Sequence, residues 1–386
     1  MTYNFDEIIN RRESDSAKWR WYSPDALPMW VADMDFVSPE PVLRALRERV
    51  DHGVFGYPLP PAELAEVICQ RMADRYGWIV TPAEIVYLPG LVSGVNAVCR
   101  AAGQPGDSVL VQTPVYPPFL SAPANHGQTL ITAPLTEVTN GRTISYQIDF
   151  EAFEAAITPA TRLFILCNPH NPIGRGYTRA ELTEMAAICL RHNVLFCSDE
   201  IHSDLLLGDT HHIPTAALSP EIAQHTITLL APSKTYNVPG LGCSIAIIQN
   251  KALRQRVEKA AMGIVPHVNV LGYVAALAAY RDGDDWLTQL LAYLTANRDY
   301  MVGFISRELP GIRTTVPEAT YLAWLDCREA GLDNPHKFFL NHAKVAMNNG
   351  ADFGPGGEGF VRLNFGCPRS ILEQGLHQLK EALNSR

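Results

Sequence analysis

RLFILCNPHNPIGRGYTRAELTEMAAICLRHNVLFCSDE, residues 162–200, is the stretch from which the fold can be read. Its ends, RLFILCN (162–168) and VLFCSD (194–199), are short and almost wholly apolar, the pattern of strands buried on both faces. The middle, TRAELTEMAAICLRHN (178–193), keeps helical spacing at Leu182, Met185, Ala186 and Cys189. Thr178 and Glu181 stand three apart just ahead of that pattern, a capping box that starts a helix. A strand, turn, helix and second strand in this order make a crossover unit, which joins parallel strands.

The same alternation continues on either side. Strand-like runs occur at EIVYL (84–88), SVLVQT (108–113), QTLITAPL (128–135), TITLLAP (226–232) and SIAIIQ (244–249), with helical segments between many of them. The region from about 84 to 250 is therefore expected to be α/β, a mainly parallel, doubly wound sheet. Ligands bind such sheets beyond the carboxyl ends of the strands. The C-terminal part reads differently. Helical patterns at 284–308 and 369–384 flank the strand-like pieces TYLAWLD (320–326) and GFVRLNFG (359–366), which predicts a smaller α+β domain.

Composition narrows the function. At roughly 150 residues per domain, 386 residues predict two or three domains. Thirty-one Lys and Arg against 40 Asp and Glu leave a net charge of −9, which argues against a nucleic-acid partner. The N-terminus MTYNFDEIINRRESD has no apolar core of a signal peptide, and the apolar patch VNVLGYVAALAAY (268–280) is too short to span a bilayer. The eight cysteines include no C-x-x-C pair, and Cys99, Cys167, Cys189, Cys197 and Cys243 lie in apolar runs. They read as core residues of a reducing compartment, so the cytoplasm is the expected location and no membrane the expected partner.

Five strand ends carry the chemistry. After 84–88, PGLVSG opens a helix near Val92 and Ser93, and a helix N-terminus suits a phosphate. After 108–113, Tyr116 sits in the proline-stiffened TPVYPPF, where it could stack on a flat ring or simply pack. After 162–168, NPHNPIG makes a tight turn from which Asn171 can offer an amide. After 194–199, Asp199 ends an apolar run, so its carboxylate needs a cationic or hydrogen-bonding partner. After 226–232, Lys234 stands in SKTYN with almost no other charge nearby. Most lysines are solvated surface groups, but a desolvated one is a nucleophile, a base or an imine partner. Glu200, His202 and Asp204 lie close in sequence, yet no further His or Cys stands at ligand spacing, so no metal is expected. A phosphate cradle, a stacking ring, an amide, a buried carboxylate and a lysine together are what pyridoxal 5′-phosphate (PLP) requires.

Over nearly the whole chain the sequence resembles the PLP-dependent class I/II aminotransferases of fold type I, and within them the cystathionine β-lyase or C–S lyase branch. The segments that carry the resemblance are LPMWVADMDF (27–36), VFGYP (54–58), NPHNPIG (168–174), SDEIH (198–202), APSKTYNVPGL (231–241), ATYLAWLD (319–326) and GFVRLNFGCPRS (359–370). The resemblance implies a large PLP-binding domain over 48–282 and a small domain built from 1–47 and 283–386. It implies that Lys234 is the imine-forming lysine, that Asp199 pairs with the pyridine nitrogen, that Asn171 bonds the ring hydroxyl and that Tyr116 stacks on the ring. Val92, Ser93 and Ser233 would hold the phosphate, and Tyr57 would reach the phosphate and substrate of a neighbouring subunit in a homodimer. Arg362 would clamp the substrate carboxylate.

Two positions depart from the common transaminase pattern. His202 stands where many relatives have tyrosine, and Gly242 stands where many have a phosphate-binding arginine. Both are typical of the lyase branch, which places His202 beside the cofactor. The implied reaction is β-elimination from an L-cysteine S-conjugate such as cystathionine, giving a thiol, pyruvate and ammonia. An aminotransferase acting on an L-amino acid, a racemase or synthase, and a regulatory binding protein that keeps the lyase fold are the alternatives.

Overall fold

Seven strands form the larger sheet of the computed structural model, which describes residues 1–386. Their order across the sheet is Ile85–Leu88, Ser244–Ile247, Thr226–Leu230, Leu195–Asp199, Thr161–Cys167, Ser108–Thr113 and Thr129–Pro134. Each corresponds to one of the apolar runs read from the sequence. Ser244–Ile247 is antiparallel to both its neighbours, and every other pairing is parallel.

Burial on both faces explains the continuous apolar runs. Val109, Val111, Leu163, Ile165 and Cys197 face a core shared with helix Leu91–Ala102 and helix Lys251–Ala261. The alternate residues Leu110, Phe164, Leu166 and Phe196 face helix Arg179–Arg191. The period of two sends successive side chains to opposite helix layers. Thr178 caps helix Arg179–Arg191 with the expected reciprocal bonds to Glu181. Helix Val270–Asp282 is the apolar patch of 268–280, buried along much of its length.

A second sheet has six strands in the order Asn348–Asn349, Phe360–Asn364, Leu322–Asp326, Arg313–Thr314, Thr143–Gln147 and Thr136–Asn140. The hairpin Thr136–Gln147 lies in sequence inside 48–282, yet its pairing partner is Arg313–Thr314 of the C-terminal part. Only Ile144 and Tyr146 of its strand residues are buried, so it has no continuous apolar run in the sequence. Helices Asp284–Glu308 and Arg369–Asn384 pack beside this sheet with the bounds their periodicity indicates. No helix is long and apolar enough to cross a membrane. All eight cysteines are free thiols, and seven are buried.

The N-terminal segment is largely irregular. After a short parallel pairing of Leu27–Pro28 with Val345–Ala346, residues 29–39 run between the two sheets without helix or strand. This strip reaches the carboxyl ends of the large sheet.

Candidate active site

A cavity of about 380 Å³ opens at those carboxyl ends, and the turns after five strands supply much of its wall. Asp199 is the last residue of its strand; Tyr116, Asn171 and Lys234 follow theirs by a few residues. Val92, Ser233, His202 and Arg362 also line it. The structure thus brings together eight of the ten residues expected at the site.

Two expected residues stay outside this cavity. Ser93 is at the right helix start, but its hydroxyl donates back to the Gly90 carbonyl at 2.7 Å and is not in the wall. Tyr57 is fully exposed, within an open apolar stretch that also exposes Val54, Phe55 and Leu59.

Asp199 is buried, and its one hydrogen-bond donor is the backbone N–H of Ile201 at 3.1 Å. Burial, with neighbouring Glu200, pushes its carboxyl up to about 7, against the pull of that N–H and Lys234. No cation touches it. A carboxylate in that condition is ready for a protonated ring nitrogen, which would supply the missing positive charge. Glu200 is turned away into its own buried set, accepting from Ser198 Oγ, the Thr215 N–H and His212 Nε2.

Lys234 Nζ donates to the Ala32 carbonyl at 2.6 Å. Burial, with help from the Arg362 cation, brings its amine down to about 8, while Asp33 and Asp199 oppose the change. The amine is thus poised to lose its proton near neutral pH, as a nucleophile or base needs. Tyr321, which the sequence reading did not single out, donates its hydroxyl to the same Ala32 carbonyl at 2.9 Å.

Arg362 lies on strand Phe360–Asn364 of the second sheet. Its Nη1 donates to Asn171 Oδ1 at 2.9 Å, and its Nη2 to the Trp30 carbonyl and Asn348 Oδ1. Its guanidinium carbon lies 5.0 Å from the Phe353 ring centroid. Its Nε is buried with no partner. Burial lowers this arginine to about 10, still a cation at neutral pH. One donor without an acceptor in a cavity wall fits an incoming carboxylate.

His202 is also buried, with Nδ1 unpartnered. Burial and the nearby Lys234 and Arg362 cations bring it down to about 3, so it is a neutral imidazole. Tyr116 packs edge-on to Phe119 at 6.0 Å between ring centroids. Gly90, Leu91 and Val92, at the start of helix Leu91–Ala102, complete one end of the cavity.

These features fit PLP from the residues upward: an acceptor without a cation, a lysine with a lowered pKa, a ring beside both, and a helix N-terminus for a phosphate. The sequence reading missed Trp30, Ala32, Tyr321, Asn348 and Phe353. Trp30, Ala32 and Tyr321 lie inside segments that carried the family resemblance, but a backbone carbonyl has no residue-type signature.

Comparison with known proteins agrees. A family model for aminotransferase class I and II matches residues 29–379. Cystathionine beta-lyase PatB of Bacillus subtilis is 41% identical, with 99% of this chain and 100% of that protein covered. The crystal structure of OvoB superposes with a TM-score of 0.95 at 44% identity, covering 100% of both chains. The PLP-bound C–S lyase of Staphylococcus hominis gives a TM-score of 0.92 at 34% identity over 99% of this chain and 98% of that one.

Proposed function

The chain belongs to the class I and II aminotransferase family, and we propose that within it the protein is a PLP-dependent C–S lyase whose substrates are L-cysteine S-conjugates. The observation that carries this reading is the full-length similarity to cystathionine beta-lyase PatB. The cavity supports it. Arg362 is the one arginine in the wall, so a second carboxylate, as in a dicarboxylic transamination substrate, has no arginine there.

PLP is the cofactor, and when bound it acts as an electron sink for charge developing at the substrate Cα. Lys234 would hold it covalently, Asp199 would keep its ring nitrogen protonated, and Asn171 would face its ring oxygen. Because Arg362 has only donors, the Asn171 atom it meets must be the carbonyl oxygen. That leaves the Asn171 amide N–H₂ as the donor for the ring oxygen.

Arg362 binds the substrate carboxylate through its open Nε edge. With its amine free, Lys234 would be the base that takes the proton from the substrate Cα. General-base help of this kind is worth about 10²–10⁴ in rate. The Ala32 carbonyl holds that amine beside the cavity in the meantime. The C–S bond at Cβ breaks and the sulfur leaves with the bonding pair. In sum, one water is consumed and the S-conjugate becomes a thiol, pyruvate and ammonium.

The proposal includes a homodimer. The exposed stretch 54–59 would pack on a second copy, and Tyr57 would reach that copy's phosphate site. A large domain over 48–282 and a small domain from 1–47 and 283–386 complete the reading, with the hairpin at 136–147 lending two strands to the small domain's sheet.

The test is pyruvate release from L-cystathionine by PLP-loaded protein with no keto acid present. Sustained pyruvate with equal free thiol supports the lyase. Amino-group transfer to an added keto acid, with no pyruvate in its absence, would replace it with an aminotransferase.

A further inference from the structure

Both functional cations are tied to one irregular strip of backbone. Arg362 Nη2 donates to the Trp30 carbonyl at 3.0 Å, and Lys234 Nζ donates to the Ala32 carbonyl, two residues on. No helix or strand ladder fixes residues 29–39: main-chain bonds pin the strip at Met29, to Ala346 and Asn364, and at Asp35, to Gly366, and between these points residues 30–34 are held to the rest of the protein by side-chain bonds. From the inside, Asn364 Nδ2 donates to the Val31 and Asp33 carbonyls, both at 2.7 Å. Asn237, three residues after Lys234, donates to the Met34 and Phe36 carbonyls and accepts from the Met34 N–H.

From the outside the hold is ionic. Lys18 is 1% exposed, and its Nζ meets Asp35 Oδ2 at 2.7 Å. The same ammonium donates to the Asp33 carbonyl at 3.2 Å, the oxygen that also accepts from Asn364. Arg11 bridges the Asp33 and Asp35 carboxylates, and Trp19 Nε1 donates to Asp35 at 2.8 Å. Trp30 Nε1 returns a bond to the Lys18 carbonyl at 3.0 Å. A buried ion pair contributes little net stability, and its best-attested use is to specify one arrangement.

We propose that Lys18, with Asp35 and Arg11, is a positioning residue for the reaction: it fixes the strip whose Trp30 and Ala32 carbonyls aim Arg362 and Lys234. The route is short. Lys18 and Asn364 share the Asp33 carbonyl, Asn364 lies two residues from Arg362 on one strand, and Asp33 adjoins Ala32. This inference rests on the reading of the cavity as the PLP site.

The experiment compares wild type, Lys18→Met and Lys18→Arg as PLP-loaded proteins, with L-cystathionine as the probe substrate. It reads KM and kcat for pyruvate release, the pH midpoint of the cofactor's absorbance, and Tm. Misplacement at this distance from the chemistry is expected to cost K18M between about tenfold and a hundredfold in kcat/KM. The absorbance midpoint should move upward, because Asp33 and Asp35 lose a neutralising cation near Lys234. K18R should restore most of both. Kinetic constants within about twofold of wild type together with an unmoved midpoint in K18M, whatever its Tm, would overturn the proposal. If K18M does not fold, Arg11→Gln at the half-buried end of the same network decides. The same two shifts, smaller, support the clamp, and their absence overturns it. A wild type that releases no pyruvate counts against the lyase reading alone, and the absorbance midpoint then decides on the clamp.

Discussion

Arg362 and Asn171 meet across the two sheets: the guanidinium Nη1 of one donates to the amide oxygen of the other at 2.9 Å, from positions 191 residues apart. The bond couples the group proposed to hold the substrate carboxylate to the group proposed to face the cofactor ring. Asn171→Ala should therefore damage both. Each lost hydrogen bond to a charged group is worth about 1.5–3 kcal/mol, so KM should rise at least about tenfold. Cofactor affinity should fall in the same variant. Steady-state kinetics and a PLP titration check the two effects separately.

Arg362→Lys keeps the charge and loses the fork. A lysine cannot serve Asn171, Asn348, the Trp30 carbonyl and a carboxylate with its three N–H bonds. The expected outcome is a KM for L-cystathionine raised about tenfold or more, while cofactor absorbance stays in place. A KM equal to wild type would remove Arg362 from the substrate site.

Lys234→Ala would remove both the proposed covalent anchor and the proposed base. Pyruvate release should fall by at least about 10²-fold. Mass spectrometry after borohydride reduction should find PLP on Lys234 in the wild type and on no residue of the variant.

Asp199 should leave a pH signature in the cofactor-free protein. Burial raises its folded pKa from the ordinary 3.8 of an aspartate to about 7. A raised carboxyl binds its proton more tightly in the folded state. Its contribution to stability is thus fully present below about 4 and lost as pH rises to about 7. The loss is on the order of a few kcal/mol. Asp199→Asn should flatten the fall in Tm between these pH values, and saturating PLP should flatten it in the wild type. Parallel pH–Tm curves for the two cofactor-free proteins would contradict the assignment.

Gly242 occupies the place where many aminotransferases carry an arginine. Its φ is +57°, and a Cβ there would lie 2.9 Å from the Pro89 carbonyl oxygen. Gly242→Arg should therefore lower stability by about 1–2 kcal/mol without tightening PLP binding. Thermal melts and a PLP titration of the same preparation test this.

The sequence by itself determined the large sheet and which residues gather in most of the candidate cavity. Both rest on local patterns: apolar runs that alternate between two buried faces, a capping box at Thr178 and Glu181, and polar residues placed just past strand ends. Lys234, Asp199, Asn171 and Tyr116 were legible because a strand end fixes where the next residues point. Arg362 was legible through the family resemblance. Only the tertiary structure decided the rest. The hairpin at 136–147 buries only Ile144 and Tyr146, so it lacks the continuous apolar run by which the other strands were read. The partners of Lys234 and Arg362 are carbonyls of Ala32 and Trp30, 202 and 332 residues away, and a carbonyl is common to every residue type. Lys18 in sequence is one more N-terminal cation. Its burial against Asp35 exists only when the N-terminal strip has been laid between the two sheets.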